Sequence, residues 1–299
     1  MELIDSIIRP IIDWGIREEL LHGDHTSQLL DGHKNVLNAK IYMKKKGVLC
    51  GTRVGQLTFE ILSPSAKVEI LKNDGDMCEP GEVVMSITGE AWIFAAGERL
   101  ALDYLQHLSG IATQARRYVD MVRPYGTKIS DARKGIPPIR VLQKYAVRVG
   151  GAIPHMYSLH NAVLLKDNHI KMAGGITKAV KQLRDRGQHT LKIECECETI
   201  DDTKEALESG VECIMFDNMD LDVLSKAVKL VGDKAWTVAT GGVSEETVIP
   251  IAQTGVKQIA IGGIVHSVKV VDISIDIGNL KASAIRDINK ERGIHASPK

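Results

Sequence analysis

The chain has 299 residues, 44% of them hydrophobic, and its 38 Lys and Arg balance 38 Asp and Glu. That length allows one or two domains with substantial cores, and the zero net charge provides no overall field for nucleic acid or a membrane surface. Aromatic residues are only 4% of the chain, which argues against gripping a single strand by base stacking.

The opening MELIDSIIRPIIDWGIREELL is amphipathic and carries acids, so a helix ending near Leu21 or His22 is expected, followed by a polar turn at Gly23 to Ser27. It does not resemble a basic leader before an apolar core. No run of about 18 apolar residues follows, so a soluble cytoplasmic protein is expected. Residues 39–93 change to short β-branched runs separated by turn signals at Asn73 to Gly75 and Pro80 to Gly81, the pattern of a small β-rich domain. Gly97 then precedes a helical stretch over 98–123, with Leu105, Leu108, Ala112, Ala115, Val119 and Val122 at spacings of three and four.

After Gly126 a rhythm sets in. Apolar runs at 128–130, 162–165, 191–197, 213–216, 236–239 and 258–261 are separated by helical stretches, with Thr199, Asp220 and Ser244 as N-caps and Gly187, Gly210, Gly232 and Gly255 as stops. Successive βα units imply a parallel sheet, either a barrel or a doubly wound sheet. The run 191–197 favours the barrel. Leu191, Ile193, Cys195 and Cys197 alternate with Lys192, Glu194, Glu196 and Glu198, and a charged face needs a polar lumen where a doubly covered strand would be apolar on both sides. Cys195 and Cys197 read as small apolar fillers on the other face; the five cysteines contain no CxxC pair and suggest no disulfide framework.

Chemistry-bearing residues collect at the C-terminal ends of these strands, the end where α/β folds place their sites. They are Arg133 and Lys134, then Lys166 with Asp167, Asn168 and His169, then Glu196, then Asp217 and Asn218, then Thr240, Gly241 and Gly242, and finally Gly262 and Gly263. Gly-Gly steps leave backbone N–H groups open to a phosphate. Cations and carboxylates beside them suit a polyanionic, metal-bearing substrate. A Schiff-base role for Lys166 is the alternative from another class of enzyme.

The stretch DARKGIPPIRVLQKYAVRVGGAIPHMYSLHNAVLLKDNHI resembles the signature region of the quinolinate phosphoribosyltransferases, and REELLHGDHTS, ERLALDYLQHLSGIAT, IECECET, IMFDN and GVKQIAIGGIVHS extend the likeness along the chain. The resemblance implies an N-terminal α/β sandwich domain over 1–112, an incomplete α/β barrel over 113–276 of the type II phosphoribosyltransferase kind, and a C-terminal helix over 277–299 that rejoins the first domain. It implies Mg²⁺-dependent transfer from phosphoribosyl pyrophosphate to quinolinate with decarboxylation, as in NAD biosynthesis, by a homodimer with a shared active site. On matching positions, Arg133, His155 and Lys166, with Arg99 from the neighbouring subunit, would surround the pyridine carboxylates. Lys134 would lie near the pyrophosphate, Glu196 and Asp217 near the ribose and the magnesium ion, and Gly241, Gly242, Gly262 and Gly263 near the 5′-phosphate, with Thr240 also among the substrate-binding residues. The chain departs from the family at Ala132 and Gly135, where Thr is usual, at Asn161, where Asp is usual, and at Met156, where an arginine ordinarily holds a substrate carboxylate. These departures leave two alternatives: a relative acting on another pyridine or pyrimidine carboxylate, or a catalytically silent nucleotide-binding one.

Overall fold

The computed structural model describes residues 3–293. Its first elements are helix α1 (Asp5–Glu19), a single turn α2 (His25–Gln28) and strand β1 (Val36–Met43). There follow β2 (Gly47–Val48), α3 (Thr52–Leu62), β3 (Lys67–Ile70), β4 (Met77–Cys78), β5 (Val83–Glu90) and the long helix α4 (Ala91–Val122). Strands and helices then alternate through β6 (Lys128–Ser130), α5 (Arg140–Val149), β7 (Val163–Leu165), α6 (Asp167–Ala173), α7 (Ile176–Arg186), β8 (Ile193–Cys197) and α8 (Ile200–Glu208). The order continues with β9 (Cys213–Asp217), α9 (Leu221–Val231), β10 (Trp236–Thr240), α10 (Glu245–Gln253), β11 (Gln258–Ala260) and α11 (Gly263–His266), and closes with β12 (Ile273–Ile277) and α12 (Ala282–Glu291). The contacts divide the described residues into one unit made of 3–114, Ile136–Gly151 and 267–293, and another made of Ala115–Gly135 and Ala152–His266.

In the first unit an antiparallel sheet runs in the order β12-β1-β5-β3. Alternation along β1 sends Ala39, Ile41 and Met43 into a core with Met85 and Ile87 of β5, Phe59 of α3 and Phe94, Ala101 and Leu105 of α4. On the other face Tyr42 packs with Ala284 and Ile288 of α12, so helices cover both faces of the sheet. Helix α3 does not follow from the β-branched character of residues 39–93. Its first N–H groups are capped from a distance, Gly51 N and Thr52 N donating to the Asp74 carboxylate at 3.0 and 2.9 Å, a partner that no local pattern reveals.

Three further boundaries differ from the expected ones. Helix α4 begins at Ala91, and Gly97 lies within it because a side chain there would meet Leu62 and Phe59 at 2.8 and 2.9 Å. Helix α5 belongs to the first unit although it follows β6: Tyr145 Oη donates to Asp74 at 2.7 Å, and Gln143 bonds His107 at 3.0 Å. The segment before residue 277 is strand β12, paired with β1 in the first sheet, so the return to that unit precedes the C-terminal helix. The last six residues of the expected helix, 294–299, lie outside the described residues.

The second unit holds a six-stranded sheet, all parallel, in the order β6-β11-β10-β9-β8-β7. Strands β6 and β7 are neighbours in sequence and stand at opposite edges of that sheet, which makes the barrel an incomplete one. Thr199 and Ser244 form capping boxes at α8 and α10, whereas Asp220 makes no side-chain cap to α9.

Tyr42, 1% exposed, donates its hydroxyl to Asp276 at 3.0 Å, and the same carboxylate oxygen accepts from Lys281 N at 3.0 Å at the start of α12. Burial above all pushes the Tyr42 phenol up to about 12, against about 10 in the unfolded chain. The protonated phenol therefore adds stability that is complete below pH about 10 and is lost as the pH climbs towards 12. Tyr42→Phe is expected to cost about 1–3 kcal/mol at pH 7 by leaving Asp276 short of a donor and to flatten the alkaline loss of stability. Urea unfolding at pH 7 and in steps above pH 9 measures both; an unchanged midpoint at pH 7 would contradict the assignment.

Candidate active site

Parallel strands deliver their last residues to one rim. There the ends of β7, β8, β9, β10 and β11 and the loop after β6 enclose a cavity of about 260 Å³. Its ionisable lining is Arg133, Lys134, His155, Lys166, Glu196 and Asp217, with Thr240 beside them. Ala132, Leu164, Met215 and Ala260 fill the remaining wall. Seven of the expected site residues, spread from 133 to 240, therefore meet in one place.

The local causes are legible strand by strand. On β8, Cys195 and Cys197 are fully buried on the side away from the lumen, and Glu194 and Glu196 point inward. Glu196 forms an ion pair with Lys166, the last residue before α6. Of the Lys166 to His169 cluster only Lys166 lines the cavity. The backbone N–H of Asn168 and then Lys171 hold the Asp167 carboxyl below its usual range, and His169 Nδ1 accepts from Lys166 N at 3.2 Å, so these residues build the first turn of α6. Lys166 is 46% exposed and ion-paired, a setting unlike the desolvated amine of a Schiff-base enzyme.

His155 comes from the segment before β7. Its backbone N–H donates to the buried Asp131 carboxylate at 2.7 Å, and its Nε2 lies 2.8 Å from Glu194 Oε2. Neither Asp131 nor Glu194 is among the residues expected in the site. The clue to Glu194 is the alternation that places it on the same face as Glu196.

The glycine steps stand at the same rim for steric reasons. Gly241 and Gly242 both have positive φ, +91° and +57°, which presents successive backbone N–H groups as an anion-binding nest can. A methyl on Gly241 would come within 2.2 Å of Asn218 Oδ1. Asn218, itself at φ 52°, donates from Nδ2 to Asp217 at 3.0 Å and from its backbone N to Thr240 O at 3.0 Å. At Gly262 a methyl would meet the Lys134 stem and the His266 ring at 3.1 Å, so this glycine lets Lys134 lie across the end of β11. Gly263 follows at the start of α11 and has open space around it.

Two expected residues lie elsewhere. Arg99 is in the first unit, exposed on α4 with Asp103 3.5 Å away. Met156, 9% exposed, does not line the strand-end cavity; it borders an apolar one of about 480 Å³ with Leu159, Leu165, Met172 and Leu183, and another of about 370 Å³ with His155, Asn161 and Glu194. Asn161 closes a turn by accepting from Ser158 N at 2.9 Å.

A partial barrel that gathers cations, two carboxylates and a glycine nest at its strand ends is an enzyme-type site for a phosphorylated, polyanionic substrate. The chain matches two family models, "Quinolinate phosphoribosyl transferase, N-terminal domain" over residues 24–109 and "Quinolinate phosphoribosyl transferase, C-terminal domain" over 111–276. It is 37% identical over 270 residues to the probable nicotinate-nucleotide pyrophosphorylase (carboxylating) of Bacillus subtilis, covering 90% of this chain and 93% of that one. A Synechocystis protein of the same name is 37% identical over 274 residues, covering 91% and 92%. The crystal structure of nicotinate-nucleotide pyrophosphorylase from Ehrlichia chaffeensis superposes with a TM-score of 0.87 at 35% identity, covering 93% of this chain and all of that one. The chain belongs to the quinolinate phosphoribosyl transferase family.

Gly241→Ala is expected to lower stability by at least about 1–2 kcal/mol from the left-handed backbone alone and to push Asn218 off Asp217. Gly263→Ala, with nothing in the way, is expected to stay within about 0.5 kcal/mol of the parent. Thermal unfolding of the two variants side by side tests this, and equal melting temperatures would contradict the packing described.

Proposed function

We propose that this protein transfers the phosphoribosyl group of phosphoribosyl pyrophosphate to a pyridine carboxylate, quinolinate in the first instance, releasing pyrophosphate and CO₂ and forming nicotinate mononucleotide. The observation that carries the reading is the meeting of Arg133, Lys134, His155, Lys166, Glu196 and Asp217 around one cavity, since that donor set matches two anionic substrates and a leaving diphosphate. The names of the relatives support the same assignment. The pyridine nitrogen attacks the anomeric carbon as the C–O bond to the diphosphate breaks and its electron pair leaves with the diphosphate. The ring, now a pyridinium, then takes up the electron pair freed when the adjacent carboxylate departs as CO₂, and the ring carbon is protonated.

Each group has a task in this scheme. Arg133, His155 and Lys166 hold the carboxylates of the acid, and Lys134 neutralises the departing diphosphate. The loop at Gly241 and Gly242 and the one at Gly262 and Gly263 seat the 5′-phosphate beside Thr240. Positioning and charge stabilisation supply the rate, with no enzyme nucleophile. Glu196 and Asp217 lie close to the ribose hydroxyls and fit Mg²⁺: both are hard oxygen donors, and this ion takes one or two carboxylates and completes its shell with substrate phosphates and water. Among the described residues no cluster of three or more His, Cys, Asp or Glu stands ready to bind a metal by itself, which suits an ion shared with the diphosphate. When bound, the ion would offset negative charge on the leaving group.

The reading takes the enzyme to be a cytoplasmic homodimer in which Arg99, exposed on α4, reaches the acid in the neighbouring subunit. No described helix is long and apolar enough to cross a membrane. One observation favours a variant of the reading: Met156, at the position where the family's arginine is expected, borders the apolar cavity, so the acid held could carry fewer or differently placed carboxylates than quinolinate.

Pyrophosphate release measured with Mg²⁺, phosphoribosyl pyrophosphate and a panel of pyridine and pyrimidine carboxylates tests the reaction. Turnover with at least one acid is expected, and Lys166→Ala should reduce kcat/KM at least about 30-fold, the worth of one lost charged partner; silence across the whole panel would overturn the reading. Sharing of the site is tested by mixing Arg99→Ala with Lys166→Ala, each weak alone. Random reassociation of dimers restores one intact site in half of them, about a quarter of parental activity, and no recovery would contradict a site completed in trans.

A further inference from the structure

Glu194 plays no part in the reaction described above, yet it is a carboxylate only 8% exposed in the lumen of the barrel. Enclosed carboxylates persist where both oxygens find donors, and the donors here are specific. Oε2 lies 2.8 Å from His155 Nε2, and Oε1 accepts from the Cys213 thiol at 3.3 Å. Burial, with the Glu194 carboxylate next to it, pushes the Cys213 thiol well above its usual range, so Cys213 stays protonated and serves as a neutral donor. The register pairs Glu194 with Cys213 across β8 and β9, which fixes the carboxylate from the strand side.

His155 borders two cavities. One is the strand-end cavity; the other, of about 370 Å³, lies towards the N-terminal ends of the strands and is lined by Glu194, Cys213, Trp236 and Gln258. Glu194 borders only the second, so it meets the imidazole from beneath while the ring also faces the strand-end cavity. The backbone of His155 is pinned separately by Asp131. The 2.8 Å contact between Nε2 and Oε2 sets the position of the ring, and it is made by an Nε2 proton where the carboxylate accepts.

We propose that Glu194 is a positioning residue: through Nε2 it fixes the tautomer and orientation of His155, so that the aromatic acid meets an imidazole already aligned for its carboxylate. The inference rests on the reading above that His155 touches the acid. Cys213 completes the arrangement by holding the second oxygen of Glu194, which stops the carboxylate from rotating off the ring.

The test uses the full-length protein and four measurements. Nitrogen-15 NMR of the parent is expected to show a proton on His155 Nε2, and Glu194→Gln, which keeps the size but can donate as well as accept, should change that signature. In kinetics Glu194→Gln should raise KM for the acid about tenfold or more, the scale of a lost hydrogen bond to a charged group, and leave KM for phosphoribosyl pyrophosphate within about twofold. The double variant with His155→Ala should be no worse than His155→Ala alone. Cys213→Ser, which preserves a donor, should retain the parental KM, so that a general failure of folding around Glu194 is recognised. The proposal is overturned if parental His155 is unprotonated at Nε2, if the two substitutions multiply in the double variant, or if both Michaelis constants rise together. A parent inactive with every acid would instead defeat the assigned reaction, which is seen before any variant is made, while the NMR signature still reports on the pair.

Discussion

A carboxylate turned into a protein interior must find donors, and β8 turns two of them inward. Glu194 and Glu196 share one face of a strand whose other face is Cys195 and Cys197, so neither can swing outward without moving the core beneath α8. Their partners are brought from other strands, Lys166 from the end of β7 and His155 from the segment before it. Removing either partner leaves a largely enclosed carboxylate short of a donor, which disfavours changing one member of a pair alone. The cationic wall of the site is thus tied to the acidic wall by the requirement that gives the barrel a polar lumen.

The same requirement explains why the site is prepared before substrate arrives. Lys166 is paired with Glu196 of the neighbouring strand in the wall of the cavity, and Asn218 is held between Asp217 and Thr240 by two hydrogen bonds and the missing side chain of Gly241. Groups held in this way need little rearrangement to meet a charged ligand, which is what positioning catalysis asks of a site.

Much of this was legible in the residues alone. The period of two along 191–197 pointed to a polar lumen, and the strand ends named Arg133, Lys134, Lys166, Glu196, Asp217 and Thr240, all of which line the cavity. Local patterns work there because strand direction alone decides where the last residue goes. They fail where a distant partner decides the matter. Helix α3 depends on Asp74 for its cap, α5 leaves the barrel units to bond Asp74 and His107, and β12 joins a sheet whose other strands lie far earlier in the chain. Glu194 was visible as one of four charged residues on a strand face, but only the approach of His155 distinguishes it from the others. Met156 shows the converse: it shares the cavity of about 370 Å³ with His155 and also borders the apolar one, yet it does not reach the strand-end cavity.

The central claim is that one strand-end cavity holds both substrates and couples glycosyl transfer to loss of a carboxylate. It is tested most directly by incubating the protein with phosphoribosyl pyrophosphate and quinolinate carrying carbon-13 in the carboxylate next to the ring nitrogen, and following pyrophosphate and labelled CO₂ together. The account predicts equal amounts of the two at all times. Pyrophosphate without labelled CO₂, or labelled CO₂ without pyrophosphate, would contradict it.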